Sequence, residues 1–233
     1  MNFLDFLFPR FCMHCHRSMP SIHDGFICNM CAKELVLSDG GCCQRCGRPM
    51  LPEAAENLIC PDCLEVNPSF QRGITLFSYK GIGRELIHLL KYRNGQFLKL
   101  NLRALFNQLT SRLSAFKGGT FIPVPLHYFR HWQRGFNQSE WIADLLSQHC
   151  QGKVKNMLVR RRYTRSQTHL TREERKANVS NVFSLKKRDV CKPHEHYILV
   201  DDVFTTGATL NACASALQRG GAQRISIFAL AHG

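Results

Sequence analysis

The 233-residue sequence contains no apolar run near the roughly 18 residues that would cross a bilayer, which excludes a helical membrane span. Its opening stretch, MNFLDFLFPRF, lacks a basic leader and cleavage-like small residues, and Asp5 and Arg10 interrupt its hydrophobes. A docking segment or short helix is expected there rather than a secretion signal, and with it a cytoplasmic location. No GxxxxGK[ST] stretch occurs, so an ATP-hydrolysing P-loop has no support. GIGREL, at 81 to 86, puts Leu86 where a dinucleotide fingerprint needs its third glycine, and that reading is set aside. Acidic residues are also scarce over most of the chain.

That scarcity is uneven. Residues 1 to 70 hold five Lys/Arg and eight Asp/Glu, a balance of −3, while residues 71 to 233 hold 26 and nine, a balance of +17; together they make the net +14. Within 153 to 192 alone, thirteen basic residues face three acidic ones. A solvated basic surface is the plainer reading. So concentrated an excess nevertheless calls for a polyanionic partner, nucleic acid or a pyrophosphorylated ligand.

Cysteine is abundant, and patterned. Eight of twelve cysteines form CxxC pairs: Cys12/Cys15, Cys28/Cys31, Cys43/Cys46 and Cys60/Cys63. Twelve residues separate the first two pairs and thirteen the last two. This is ribbon spacing for a tetrahedral four-cysteine zinc site, given twice, because each tight knuckle aims two thiolates at one ion and the intervening segment brings back the second knuckle. Sequential pairing gives sites 12/15/28/31 and 43/46/60/63; interleaved pairing is the alternative, and Cys42, His14 and His16 are possible substitutes. A disulfide module is disfavoured by the regular pairing and the missing export signal. Fully protein-ligated zinc leaves no open position for catalysis, so both sites are expected to be structural, supplying folding energy that a segment this poor in apolar residues lacks. Cys150, Cys191 and Cys213 stand alone and read as ordinary buried thiols.

After a linker near EVNPSFQRG the pattern changes. Strands are expected at 74–79, 120–125, 154–161, 181–185, 196–203 and 224–231, with helices at 84–92, 137–150 and 207–221, the last stopped by Gly220 and Gly221. Such alternation implies an α/β fold with a mostly parallel sheet. The expected division is a double zinc ribbon with its N-terminal docking segment over 1–68, and an α/β domain over 69–233.

The stretch ILVDDVFTTGAT, 198 to 209, carries the most chemistry. Ligands of parallel sheets bind beyond the carboxyl ends of the strands, where Asp201 and Asp202 fall. Exposed N–H groups at the start of the next helix, with the hydroxyls of Thr205, Thr206 and Thr209, form a cradle for a phosphate dianion, and Gly207 permits close backbone approach. Carboxylates repel that phosphate but suit sugar hydroxyls. A phosphoribosyl site fits both halves.

That stretch resembles the 5-phosphoribosyl-1-pyrophosphate (PRPP) motif of type I phosphoribosyltransferases. Together with the four CxxC pairs it resembles the ComF/GntX family of bacterial competence and DNA-utilisation proteins, as do LKY (90–92), PVPLHYFRHWQRGFNQ (123–138) and RRYTRSQTHLTREERKANVSNVF (161–183). The resemblance implies a double zinc ribbon before a domain of the type I phosphoribosyltransferase kind. It implies that Asp201 and Asp202 hold the ribose hydroxyls and carry any catalysis, and that Thr205, Thr206, Gly207, Ala208 and Thr209 wrap the 5′-phosphate. Arg134, Gly135 and Asn137 would lie near the pyrophosphate, whose oxygens Mg²⁺ would bridge. Arg165, Gln167, Arg172 and Arg175 would belong to a hood closing over the site.

Two functions compete. One is Mg²⁺-dependent transfer of a phosphoribosyl group to or from a nucleobase or other acceptor, carried by positioning and electrostatics. The other is a binding protein that keeps the ribose-phosphate site as a sensor and uses its basic face for single-stranded DNA, in concert with DNA-uptake proteins. Phe129, Trp132 and Phe136, interleaved with Arg130, His131 and Arg134, suit base stacking, although core packing explains aromatics more often. Arg160 to Arg162 read either as polyanion contacts or as a solvated edge.

Overall fold

The computed structural model describes residues 10–19, 27–35, 37–38, 41–50, 58–92, 98–126, 135–160 and 182–233. In chain order it contains β1 (Arg10–Phe11), β2 (Ser18–Met19), α1 (Asn29–Lys33), α2 (Pro61–Val66), β3 (Arg72–Ser78), α3 (Gly81–Tyr92), α4 (Lys99–Gln108), α5 (Thr110–Leu113), β4 (Thr120–Pro123), α6 (Gln138–His149), β5 (Lys153–Val154), β6 (Leu158–Arg160), β7 (Phe183–Leu185), β8 (His196–Phe204), α7 (Ala208–Arg219) and β9 (Arg224–His232).

Five strands form one parallel sheet in the order β3-β9-β8-β4-β5. Strands β8 and β9 are central, which accounts for their nearly continuous apolar sequences: a strand covered on both faces has no solvent side to alternate with. Ile198, Val200, Phe228 and Leu230 pack on one face against α3, α4 and α6. Tyr197, Leu199, Ile227 and Ala229 pack on the other against α7. The fold is therefore α/β, a five-stranded parallel sheet with helices on both faces, preceded in the chain by the cysteine-rich module.

Two expectations need correction. The strand expected over 154–161 is two strands in different sheets: β5 is an edge strand beside β4, and β6 pairs antiparallel with β7 in a separate hairpin. A turn closed by Met157 N–H donating to the Lys155 carbonyl divides them. The strand expected over 120–125 ends at Pro123, beyond which Val124 N–H still bonds to the Val200 carbonyl. Helices α4 and α5, absent from the sequence expectations, complete the cover of the first face.

The second ribbon is hydrogen-bonded directly to the edge strand β3. Gly73 N–H donates to the Gln44 carbonyl at 3.1 Å, and the buried Thr75 hydroxyl to the Gly47 carbonyl at 2.6 Å. Gly47 has φ +76°, and a Cβ there would lie 2.6 Å from Thr75 N. The position requires glycine for both reasons.

Candidate functional site

Strand β8 ends among polar side chains. Asp201 and Asp202 point to opposite faces, as successive strand residues must, yet both are reached from the start of α6. Ser139 Oγ donates to Asp201 Oδ1 at 3.1 Å, and Gln138 Nε2 donates to Asp202 Oδ2 at 3.1 Å. Lys91, in the last turn of α3, brings its ammonium to 3.4 Å from the same Asp202 oxygen. Asp202 is 8% exposed and Gln138 2%. Burial, and next the neighbouring Asp202 charge, raise Asp201 to about 7, against the opposing pull of the Asp202 N–H, the Ser139 hydroxyl and Lys91. The oxygen of the same Gln138 amide, Oε1, is buried without a hydrogen-bond partner among the described residues. A buried acceptor left unmatched costs about 1–3 kcal/mol, which a ligand donor would recover.

Two residues beyond Asp202, Phe204 ends the strand and the chain turns into α7. Gly207 is the N-cap at φ +72° and no side chain caps the helix; Thr206 Oγ1 makes only a long contact, 3.4 Å, with Ala208 N. Thr205, Thr206, Ala208 and Thr209 are exposed. The acid pair and an open helix start thus share one edge of the sheet, as the sequence leads one to expect. Asn137 instead commits both ends of its amide within the protein: Oδ1 accepts from Ser139 N and Nδ2 donates to the Val124 carbonyl, fixing the α6 start that carries Gln138 and Ser139. Gly135 is exposed at φ +73°. Arg134, together with Arg165, Gln167, Arg172 and Arg175, lies outside the described residues, as do Phe129, Arg130, His131, Trp132, Arg161 and Arg162.

Sequence reasoning missed Lys91, Gln138 and Ser139 as site residues. Lys91 stands in the LKY block, and Gln138 and Ser139 directly follow Asn137, so each lay beside a recognised signal. Two cavities, of about 630 and 450 Å³, line α3 and the first ribbon; neither includes a residue of 201–209.

The cysteines settle their own pairing. Cys12, Cys15, Cys28 and Cys31 form one cluster, and Cys43, Cys46, Cys60 and Cys63 another, with all four sulfurs of each within 4.8 Å of one another. The Cys15–Cys28 and Cys46–Cys60 sulfurs are 3.7 Å apart, close to the ~3.8 Å edge of a tetrahedron with 2.3 Å zinc–sulfur bonds. Cys28 N–H points at Cys12 Sγ and Cys60 N–H at Cys43 Sγ, each at 3.3 Å. Burial opposes ionisation of Cys12, but N–H groups of Cys15, Cys28 and His14 outweigh it and bring the thiol to about 6. Burial, followed by the crowding of neighbouring sulfurs, pushes Cys31 upward, a repulsion that a dication would relieve. The residues fit two structural zinc sites, paired sequentially. Cys42 takes no part, since its sulfur donates to the Ser38 carbonyl; His14 bonds Glu85 at 2.8 Å. Cys150, Cys191 and Cys213 are buried, as expected.

These features define a class: a double zinc ribbon fused to an α/β domain built on a parallel sheet. A family model for the double zinc ribbon domain matches residues 3–64. The DNA utilization protein YhgH of Escherichia coli K12 is 34% identical over 230 residues, covering 95% of this chain and 96% of that protein. Competence protein F of Haemophilus influenzae is 30% identical over 238 residues, 99% of each chain. Competence protein ComFC of Bacillus subtilis is 26% identical over 214 residues, 89% of this chain and 84% of that one. The chain belongs to the ComF/GntX family. Among solved structures, a purine phosphoribosyltransferase from Pyrococcus horikoshii is similar over 69% of this chain and 87% of its own, at 14% identity and a TM-score of 0.32.

Proposed function

We propose that the edge formed by Asp201, Asp202 and the 205–209 turn binds PRPP, and that the protein uses this site while handling single-stranded DNA in uptake or utilisation. The observation that carries the first part is the incompletely matched acid pair: one carboxyl raised to about 7, beside a buried amide oxygen with no partner, next to an uncapped, exposed helix start. Ribose hydroxyls supply the missing donors, and the turn's N–H and hydroxyl groups take the 5′-phosphate. Mg²⁺ on the pyrophosphate oxygens would supply charge neutralisation; Gly135 and the basic residues on either side of the site are the groups proposed to lie near it. Residues 1–68 act as the structural double ribbon and 69–233 as the ligand-binding domain. No helix among the described residues is long and apolar enough to cross a membrane; a cytoplasmic site of action fits the ligand.

The DNA half rests on the names of the relatives and on the +17 balance of residues 71 to 233. Affinity for a single strand should fall steeply with salt, with a log–log slope of about −0.7 per phosphate neutralised; a flat salt response would remove the electrostatic face. The alternative, Mg²⁺-dependent phosphoribosyl transfer to a nucleobase or other acceptor, is favoured by the raised carboxyl. Pyrophosphate release from PRPP in a panel of bases and DNA separates the two. For the site itself, calorimetry with PRPP and Mg²⁺ should show binding to the wild-type chain and none to the doubly substituted Asp201→Ala/Asp202→Ala protein, whose circular dichroism stays native. Unchanged affinity in that variant would remove the assignment.

A further inference from the structure

The second ribbon does more than sit on the sheet edge. Directly after Gly47 comes Arg48, whose guanidinium is held by Asp62 of α2 (Nη1–Oδ2 2.6 Å) and whose Nε faces His232 Nε2 at 3.5 Å. His232 is the last residue of β9 and is buried. Burial, followed by the Arg48 charge, holds it down to about 4, so the ring is neutral and Nε2 can accept. The imidazole stacks on the Phe204 ring, centroids 5.2 Å apart and planes 24° from parallel. That ring in turn lies against Gly207: a Cβ on Gly207 would come within 2.5 Å of Phe204 Cζ. The residue after His232 fastens the same corner, with Gly233 N–H donating to the Phe204 carbonyl at 2.9 Å. Contact is therefore continuous from the metal-binding knuckle to the turn beyond the acid pair.

We propose that Arg48, His232 and Phe204 are positioning residues through which the second cysteine cluster sets the shape of the 205–209 turn, so that the ordering of that knuckle governs anion affinity at the turn. The first ribbon meets the domain elsewhere: its cysteines join the apolar core on the other face of the sheet, and His14 bonds Glu85 on the outer side of α3. The affinity half of the proposal rests on the phosphoribosyl reading, whereas the ordering half does not.

The test uses full-length, zinc-loaded protein with Arg48→Ala, His232→Phe, their combination, and Glu85→Gln as the control. Hydrogen exchange of turn peptides covering 203–210 should quicken about three- to tenfold in Arg48→Ala and in His232→Phe. The pair together should be no worse than either alone, because both cut one route. Zinc should remain at two ions per chain by elemental analysis, PRPP affinity should fall by a similar factor, and Glu85→Gln should leave the turn unchanged. His232→Phe keeps the stack and lies far from the cysteines in sequence, so it decides the matter should Arg48→Ala lose metal. Turn exchange unchanged in His232→Phe overturns the relay even when PRPP binding is confirmed. Equal quickening in Glu85→Gln overturns it too, by showing general loosening. A wild-type chain that binds no PRPP defeats the phosphoribosyl reading alone, and the exchange data still decide the relay.

Discussion

Strand β8 is approached by one acid and ends in two, and the protein treats its two ends oppositely. At the entry, Glu195 is surrounded by donors. Its Oε1 meets Lys153 Nζ at 2.5 Å and the Thr120 hydroxyl at 2.6 Å, with Lys155 at 3.8 Å, while Oε2 accepts from Tyr197 at 2.9 Å. Burial resists ionisation there, but Lys153, Thr120 and Tyr197 overcome it and hold Glu195 at about 2. At the exit the balance is reversed, and Asp201 is pushed up to about 7. The entry is built for stability, with both Glu195 oxygens matched by donors. The exit holds charge at a cost and keeps an amide oxygen unmatched, which is the pattern of a place prepared for a ligand.

The contrast can be broken most forcefully at the entry. Glu195→Ala strands the donors of Thr120 and Tyr197, both fully buried, and should cost about 3 kcal/mol in denaturant unfolding without altering PRPP affinity. The pH dependence should separate the two ends next. Glu195, depressed to about 2, contributes stability that is present above its ordinary value of 4.5 and is lost as pH falls through about 2. Asp201 acts in the opposite sense: raised from 3.8 to about 7, it favours the fold most below pH 4, and that advantage is lost as pH rises to about 7. Melting temperatures of Asp201→Asn should therefore lose the decline between those values and lie above wild type at neutral pH.

A smaller effect is expected from Lys91→Met. The Lys91 charge lowers Asp201, so the variant should titrate at higher pH by carboxyl NMR and bind PRPP about fivefold more weakly, in line with an ion pair of about 1 kcal/mol. Smallest of all is Lys153→Met. Its side chain is 58% exposed and Lys155 stands nearby, so less than about 1 kcal/mol is expected by thermal unfolding.

The same strand shows what sequence patterning can reach. The apolar run 197–200 reads as a doubly covered strand because it is one, and Asp201, Asp202 and the Thr-Gly turn follow within the same local stretch. Cysteine spacing is similarly local, and it yielded both clusters. What eluded the sequence is contact between distant segments. Nothing adjacent to Lys91 announces that α3 will aim it at residue 202, and Gln138 and Ser139 resemble any polar residues opening a helix until α6 is set against β8. Helices α4 and α5 went unread because Asn, Arg and Gln interrupt the apolar positions of the stretch. The break between β5 and β6 arises from sheet membership, which a run of strand-forming residues does not encode.

The central claim is that a sugar phosphate is held where β8 passes into α7. Amide chemical-shift mapping of ¹⁵N-labelled protein titrated with PRPP and Mg²⁺ tests it most directly. The largest shifts should fall on residues 201–209 and 137–139, with residues 153 and 195 unmoved. Shifts confined instead to the cavity between α3 and the first ribbon, with 201–209 silent at saturation, would contradict it.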